Sequence, residues 1–259
     1  MVMKNKPIIF VTRPLPTVAL VALSKYGTVR LRKRDSIITR KELLMGARGA
    51  DILVPILTDT IDEAVMAVAP RLKLIANYGA GYNNVDVAAA TRRGIYVTNT
   101  PDVLTETTAE LTVALMLAVS RRLVETEGIM RAGQYPGWGP LMYLGHGISG
   151  KTLGVVGMGR IGTRVAEIAH HRFGMHVLYY TKHKEREVEL SLVARRVSLS
   201  TLLKQSDVIT LHVPLLPQTH HLISGPELAI MKSTAYVINT SRGPVVDEVA
   251  LTKALQRGK

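Results

Sequence analysis

The chain has 259 residues, 47% of them hydrophobic, which is enough for one large or two ordinary domains with buried cores. It has no cysteine, which excludes a disulfide framework and a thiolate metal site. The formal net charge is +13, yet the lysines and arginines are scattered along predicted helices with no basic run interleaved with aromatics, so the charge reads as solvated surface rather than a nucleic-acid face.

No apolar run reaches membrane-spanning length, since the Leu111 to Val119 stretch is flanked by Glu110 and by Arg121-Arg122. Met1 to Lys6 lead directly into a strand without the apolar region of a signal peptide. The expectation is a cytoplasmic protein that binds neither membrane nor nucleic acid.

In chain order, Pro7 to Thr12 predicts a strand and Thr17 to Tyr26 a helix ended by Gly27. A helix around Lys41 to Met45 precedes the strand Ile52 to Val54. Thr39 with Glu42 and Thr60 with Glu63 have the spacing of capping boxes, and Pro70 ends the second of those helices before the strand Lys73 to Asn77. Strand Ile95 to Thr98 closes this first unit. After Pro101 the pattern predicts one long helix, roughly Thr105 to Arg131, apolar on most of its circumference and therefore buried. A glycine- and proline-rich loop, Ala132 to Gly150, carries the only tryptophan, Trp138.

The second unit alternates again. Its predicted strands are Leu153 to Val156, His176 to Tyr180, Val208 to His212 and Tyr236 to Asn239, with helices at Arg160 to Arg172, about Ser200 to Gln205, and Pro226 to Met231. Such alternation predicts an α/β protein of two Rossmann-like doubly wound domains.

The segment Thr152 to Thr181, TLGVVGMGRIGTRVAEIAHHRFGMHVLYYT, carries the chemistry. Gly157, Gly159 and Gly162 fit G-x-G-x-x-G between an apolar strand and an amphipathic helix. The first glycine makes the tight turn, the second lets backbone approach a pyrophosphate, and the third packs helix on strand. The phosphates would sit on the positive end of the helix. Where NAD enzymes place an acidic residue about 20 positions on, this chain has Tyr180-Thr181-Lys182-His183-Lys184. Cations in place of a carboxylate favour NADP, with NAD as the alternative.

Four stretches, Asn77 to Pro101, Leu153 to Gly162, Leu211 to Ile223 and Ile238 to Glu248, follow one another as NYGAGYNNVDVAAATRRGIYVTNTP, LGVVGMGRIG, LHVPLLPQTHHLI and INTSRGPVVDE. Together they make the chain resemble, over essentially its whole length, the D-isomer-specific 2-hydroxyacid dehydrogenases, and most closely the glyoxylate and hydroxypyruvate reductase branch. The resemblance implies a flavodoxin-like substrate domain over residues 1–100 and an NAD(P)-binding Rossmann domain over 101–259. It implies a homodimer and a small 2-oxo or 2-hydroxy acid as substrate.

Residue by residue, Arg242 in NTSRG matches the family's catalytic arginine. A guanidinium suits the task because it stays charged and offers a planar fork to a carboxylate and a carbonyl. Backbone amides of Gly79, Ala80 and Gly81 match the substrate-carboxylate loop. Met158, Arg160 and Ile161 would line the pyrophosphate, Val213 and Pro214 the adenine side, and Thr240 with Ser241 the nicotinamide side. Thr105, Thr181 and Lys182 complete the cofactor set.

The departure from the family is at the C-terminus, where its pattern continues past Lys259 into a strand with an aspartate, then a glutamate, then the histidine that donates a proton. The expectation is therefore a truncated chain, with a cofactor domain incomplete at its C-terminus and turnover impaired. The eight histidines offer no substitute on spacing, and His170, His171 and His176 straddle a helix end rather than forming a metal cluster. The competing reading is a non-catalytic dinucleotide-binding protein, like the dehydrogenase-related corepressors. A basic nucleic-acid binder is the third.

Overall fold

The computed structural model describes residues 6–258. The expectations for Met1 to Asn5 and for Lys259 lie outside them. The chain divides into two compact units, the division falling between Val103 and Leu104.

The first unit runs β1 (Ile8–Val11), α1 (Thr17–Tyr26), β2 (Thr28–Leu31), α2 (Arg40–Ala47), β3 (Ile52–Val54), α3 (Glu63–Ala67), β4 (Leu74–Ala76), α4 (Val87–Arg92) and β5 (Tyr96–Thr98). Its five strands are parallel in the order β2-β1-β3-β4-β5, with the reversal of direction between β1 and β3. That is the flavodoxin-like order. The central strands read as apolar runs because both faces are covered. Phe10, Leu53 and Ile75 join Leu43 and Met66 in one core, while Ile9, Val11 and Val54 form the other. Each fully buried aliphatic side chain contributes about 2 kcal/mol.

The second unit runs α5 (Thr105–Ser120), α6 (Leu123–Arg131), β6 (Thr152–Val156), α7 (Arg160–Phe173), β7 (His176–Tyr180), α8 (Arg186–Leu192), β8 (Arg195–Arg196), α9 (Leu199–Gln205), β9 (Val208–Leu211), α10 (Gly225–Ala229), β10 (Tyr236–Asn239) and α11 (Glu248–Gln256), with a single 3-10 turn at Gly243–Val245. Its parallel sheet has the order β10-β9-β6-β7-β8, the Rossmann order, with the switch point between β6 and β9. Leu153, Val155 and Tyr179 are fully buried beneath α7, whose Val165, Ala166 and Ala169 face them.

The same device fixes the lower end of both sheets. Asp51 accepts from the Ile8 N–H at 2.8 Å and pairs with Arg71 at 2.7 Å; Asp207 accepts from the Thr152 N–H at 2.9 Å and pairs with Lys232 at 2.8 Å. Burial opposes the charge on each carboxylate, but the N–H and cationic partners outweigh it and hold both pKa values below the usual range.

Three sequence expectations are corrected. The long helix is two helices, because Arg122 turns left-handed at φ 55° and His146 N–H donates to Ser120 O at 2.8 Å, ending α5 there. Its first half is not buried all round, since Leu111, Leu115 and Val119 are exposed while Ala109, Val113 and Met116 pack inward. Thr60 does not cap α3; Asp62 does, its carboxylate accepting from Val65 N–H at 3.1 Å. The box at Thr39 and Glu42 forms as expected.

Candidate active site

The loops that leave β6 and β9 at the switch point lie against one another. Gly157 adopts φ +96°, and a Cβ built there would stand 2.9 Å from the carbonyl carbon and oxygen of His212 and from a Val213 methyl. Only glycine fits such a turn. Gly162 packs against the Gly157 carbonyl, so α7 starts tight against the strand end.

Gly159 differs. It is the N-cap of α7 at φ −84°, with no side chain capping the helix and no carboxylate in the first turn. A Cβ there would meet nothing within 4 Å. The head of a 14-residue helix therefore presents its positive end to open space that even a methyl group would intrude upon. Thr105, Met158, Gly159 and Arg160 line this space together with Lys184, in a cleft of about 860 Å³. The chain's own residues thus fit a bound diphosphate. Ile161 is half-buried and packs on the core behind the turn.

At the end of β7 the carbonyls of Thr181 and Lys182 both accept from the Arg196 guanidinium of β8, at 3.0 Å each. Lys182 is exposed beside them. Lys184 is bound to Glu189 at 3.0 Å, and Glu189 also accepts from the buried Tyr179 hydroxyl at 3.0 Å. The turn is therefore cationic through Lys182 and Arg196, with Lys184 partly neutralised.

Arg242 follows β10. Asn239 fixes its backbone: the Asn239 side-chain oxygen accepts from Ser241 N–H at 3.0 Å and Ser241 hydroxyl at 2.8 Å, while its nitrogen donates to Arg242 O at 2.9 Å. The Arg242 guanidinium donates to Ser241 O at 2.8 Å. Thr240 shares a 2.9 Å hydroxyl contact with Thr112 of α5. Thr240, Ser241 and Arg242 line one 460 Å³ cavity with Asn239 and Gly243. Pro214 lies in the loop after β9, its carbonyl accepting from the Thr219 hydroxyl at 2.6 Å.

In the first unit, Gly79, Ala80 and Gly81 form the loop after β4. Gly79 packs against the Leu57 side chain, which would have to move to admit a Cβ there.

His212 is the titratable group whose environment departs furthest from water. Burial pushes its pKa down to about 4, and its Nε2 is buried with no hydrogen-bond partner among the described residues. His146 bonds the Tyr236 hydroxyl and His170 the Met175 carbonyl. Among the described residues no histidine is hydrogen-bonded to a carboxylate, and no group of three or more His, Asp or Glu side chains could hold a metal.

The family profile described as "D-isomer specific 2-hydroxyacid dehydrogenase, NAD binding domain" matches residues 113–259. The glyoxylate reductase of Thermococcus litoralis is 48% identical over 257 residues, covering 98% of this chain and 77% of the relative. The chain belongs to the D-isomer specific 2-hydroxyacid dehydrogenase family. Among solved structures, the TT0316 protein of Thermus thermophilus superposes with a TM-score of 0.87 at 45% identity, over 96% of this chain and 78% of that one. The D-lactate dehydrogenase of Aquifex aeolicus, in complex with NAD and lactic acid, gives 0.86 at 34% identity, over 97% and 74%.

The dehydrogenase is thus an oxidoreductase of small 2-oxo or 2-hydroxy acids that uses a nicotinamide dinucleotide. Among its described residues no helix is long and apolar enough to cross a membrane. Arg196 and Asn239, which hold the turns after β7 and β10, were not singled out from the sequence, though both stand at strand ends.

Proposed function

We propose that this enzyme is an NADP-preferring reductase that converts glyoxylate, hydroxypyruvate or a similarly small 2-oxo acid to the D-2-hydroxy acid. The observation that carries the reading is 48% identity to a glyoxylate reductase across 98% of the chain. NADP preference draws on the exposed Lys182 and on Arg196 at the end of β7, a place where a 2′-phosphate needs cations.

The amides at the head of α7, around Gly157, Met158, Gly159, Arg160, Ile161 and Gly162, hold the diphosphate. Thr105 flanks it, Thr181 and Lys182 take the ribose end, Val213 and Pro214 the adenine side, and Thr240 and Ser241 the nicotinamide side. The bound cofactor supplies the hydride. Arg242 holds the carboxylate and polarises the carbonyl of the substrate, since its charge stabilises the developing alkoxide. The Gly79–Gly81 loop receives the carboxylate on backbone N–H groups. Residues 1–100 act as the substrate domain and 101–259 as the cofactor domain.

The proton for the new hydroxyl is the weak step. Among the described residues no histidine is held by a carboxylate, and burial keeps His212 neutral, so none of them is assigned as the proton donor. The second reading, a non-catalytic dinucleotide-binding protein, would rest on the cleft at the head of α7 alone.

Steady-state assays with NADPH and NADH against glyoxylate and hydroxypyruvate decide between them. NADPH-dependent turnover, however slow, supports the reductase; NADPH binding without turnover supports the second reading. We also assign a homodimer, supported by the exposed Leu111, Leu115 and Val119 on α5 and Val124 and Met130 on α6. Sedimentation of wild type and Leu115→Glu tests it: a dimer dissociated by the charge is expected, and a monomeric wild type sinks the assignment.

A further inference from the structure

The loop after β4 is held by its carbonyls. The Gly79 carbonyl accepts from Thr100 N–H at 3.0 Å, the Ala80 carbonyl from the Asn99 side-chain amide at 2.7 Å, and the Gly81 carbonyl from the Asn77 side-chain amide at 2.8 Å. Asn77 is almost fully buried, and its oxygen accepts from the Asn84 amide at 3.0 Å, which fixes its nitrogen toward Gly81. Among the described residues there are no cis peptide bonds. In a planar trans peptide the C=O and the following N–H point in opposite directions. Three successive carbonyls bound on the protein side therefore turn three successive N–H groups, those of Ala80, Gly81 and Tyr82, the other way. None of these three donates to any described residue. The Gly79 N–H, in contrast, is spent locally on Asn77 O at 2.9 Å.

We infer that Asn77 and Asn99 are positioning residues for the substrate, and that the anion-binding donors of this loop are the N–H groups of Ala80, Gly81 and Tyr82 rather than Gly79. Neither asparagine touches the ligand. Each holds one peptide plane, so that the N–H group on its far side is set before a carboxylate arrives. An amide side chain suits the role because it donates to a carbonyl without adding charge beside an anion. The inference rests on the assignment of this loop to the substrate carboxylate, and it shifts that assignment by one residue along the chain.

The test uses the full chain with NADPH and the 2-oxo acid mimic oxamate. Backbone amide resonances are followed by ¹⁵N NMR, and oxamate and NADPH affinities are measured for wild type and for Asn99→Leu, which is neutral and of similar size. Shifts at Ala80, Gly81 and Tyr82, with Gly79 unmoved, are expected in wild type. Asn99→Leu should weaken oxamate by about tenfold, the loss of one well-aligned hydrogen bond, with NADPH affinity unchanged. A merely structural asparagine would lower the melting temperature without that split. If Asn99→Leu does not fold, Asn99→Ala is read in the same way. Equal oxamate affinity in wild type and variant overturns the positioning role alone. Wild-type loop amides that ignore oxamate overturn the carboxylate assignment itself, and this inference with it.

Discussion

Gly157 lies against His212 so closely that a methyl group on its Cα would stand 2.9 Å from the His212 carbonyl. Gly159, two residues on, has nothing within 4 Å of the same position. The two glycines of one motif therefore do different work, and substitution separates them. Gly157→Ala should cost about 1–3 kcal/mol of stability, because it adds a clash to a φ of +96°. Gly159→Ala should leave the melting temperature near wild type and still weaken NADPH binding, since its methyl group fills the space a diphosphate needs. Thermal melts beside fluorescence titration of NADPH check both. Equal loss of stability in the two variants would refute the division of roles.

His212 gives the fold an acid sensitivity. Its folded pKa of about 4 lies below the ordinary value of 6.5, so the unfolded chain binds the proton first. The stabilisation is complete above about pH 6.5 and is lost as pH falls toward 4, for a total of about 3 kcal/mol. The carboxylates Asp51 and Asp207, with lowered pKa values, lose their contribution only at lower pH. Urea unfolding at pH 7 and pH 5 should therefore show a drop of about 2 kcal/mol in wild type. The drop should shrink markedly in His212→Gln. An identical drop in the variant would assign the sensitivity elsewhere.

The two strands that sequence patterning missed, β2 and β8, are edge strands whose charged residues hide them, whereas the edge strands β5 and β10 carry none and were found. β1, β3, β6 and β9 are central, and their runs of valine, leucine and isoleucine need no alternation because helices cover both faces. β2 and β8 are edge strands containing Arg30 and the Arg195–Arg196 pair, charges that suit an edge but break the apolar signal. The cofactor turn was legible because Gly157 and Gly162 answer local steric demands and Gly159 stands at a fixed spacing between them. Asn99 and Arg196 were not, because each acts on a carbonyl brought near by the fold rather than by spacing along the chain.

The choice of cofactor should lie in the turn that Arg196 clasps. Lys182→Asp places a carboxylate beside the ribose and removes a cation, so the KM for NADPH should rise by about tenfold or more while that for NADH falls. Raising ionic strength in wild type should weaken NADPH more than NADH, since only one carries the extra phosphate. An NADPH to NADH ratio untouched by Lys182→Asp would place discrimination outside this turn.

Arg242 lines a 460 Å³ cavity, its carbonyl held by the Asn239 amide and its guanidinium by the Ser241 carbonyl, so the group is oriented before substrate arrives. Replacement should therefore harm chemistry more than cofactor affinity. Arg242→Lys keeps the charge but loses the planar fork, and Arg242→Gln loses both. kcat/KM for glyoxylate with NADPH should fall by about 10² in the lysine variant and about 10³ in the glutamine variant. NADPH affinity, measured by fluorescence, should stay near wild type in both. A lysine variant with full activity would show that charge alone suffices. A loss of NADPH affinity matching the loss of kcat/KM would show that Arg242 serves the cofactor and not the substrate.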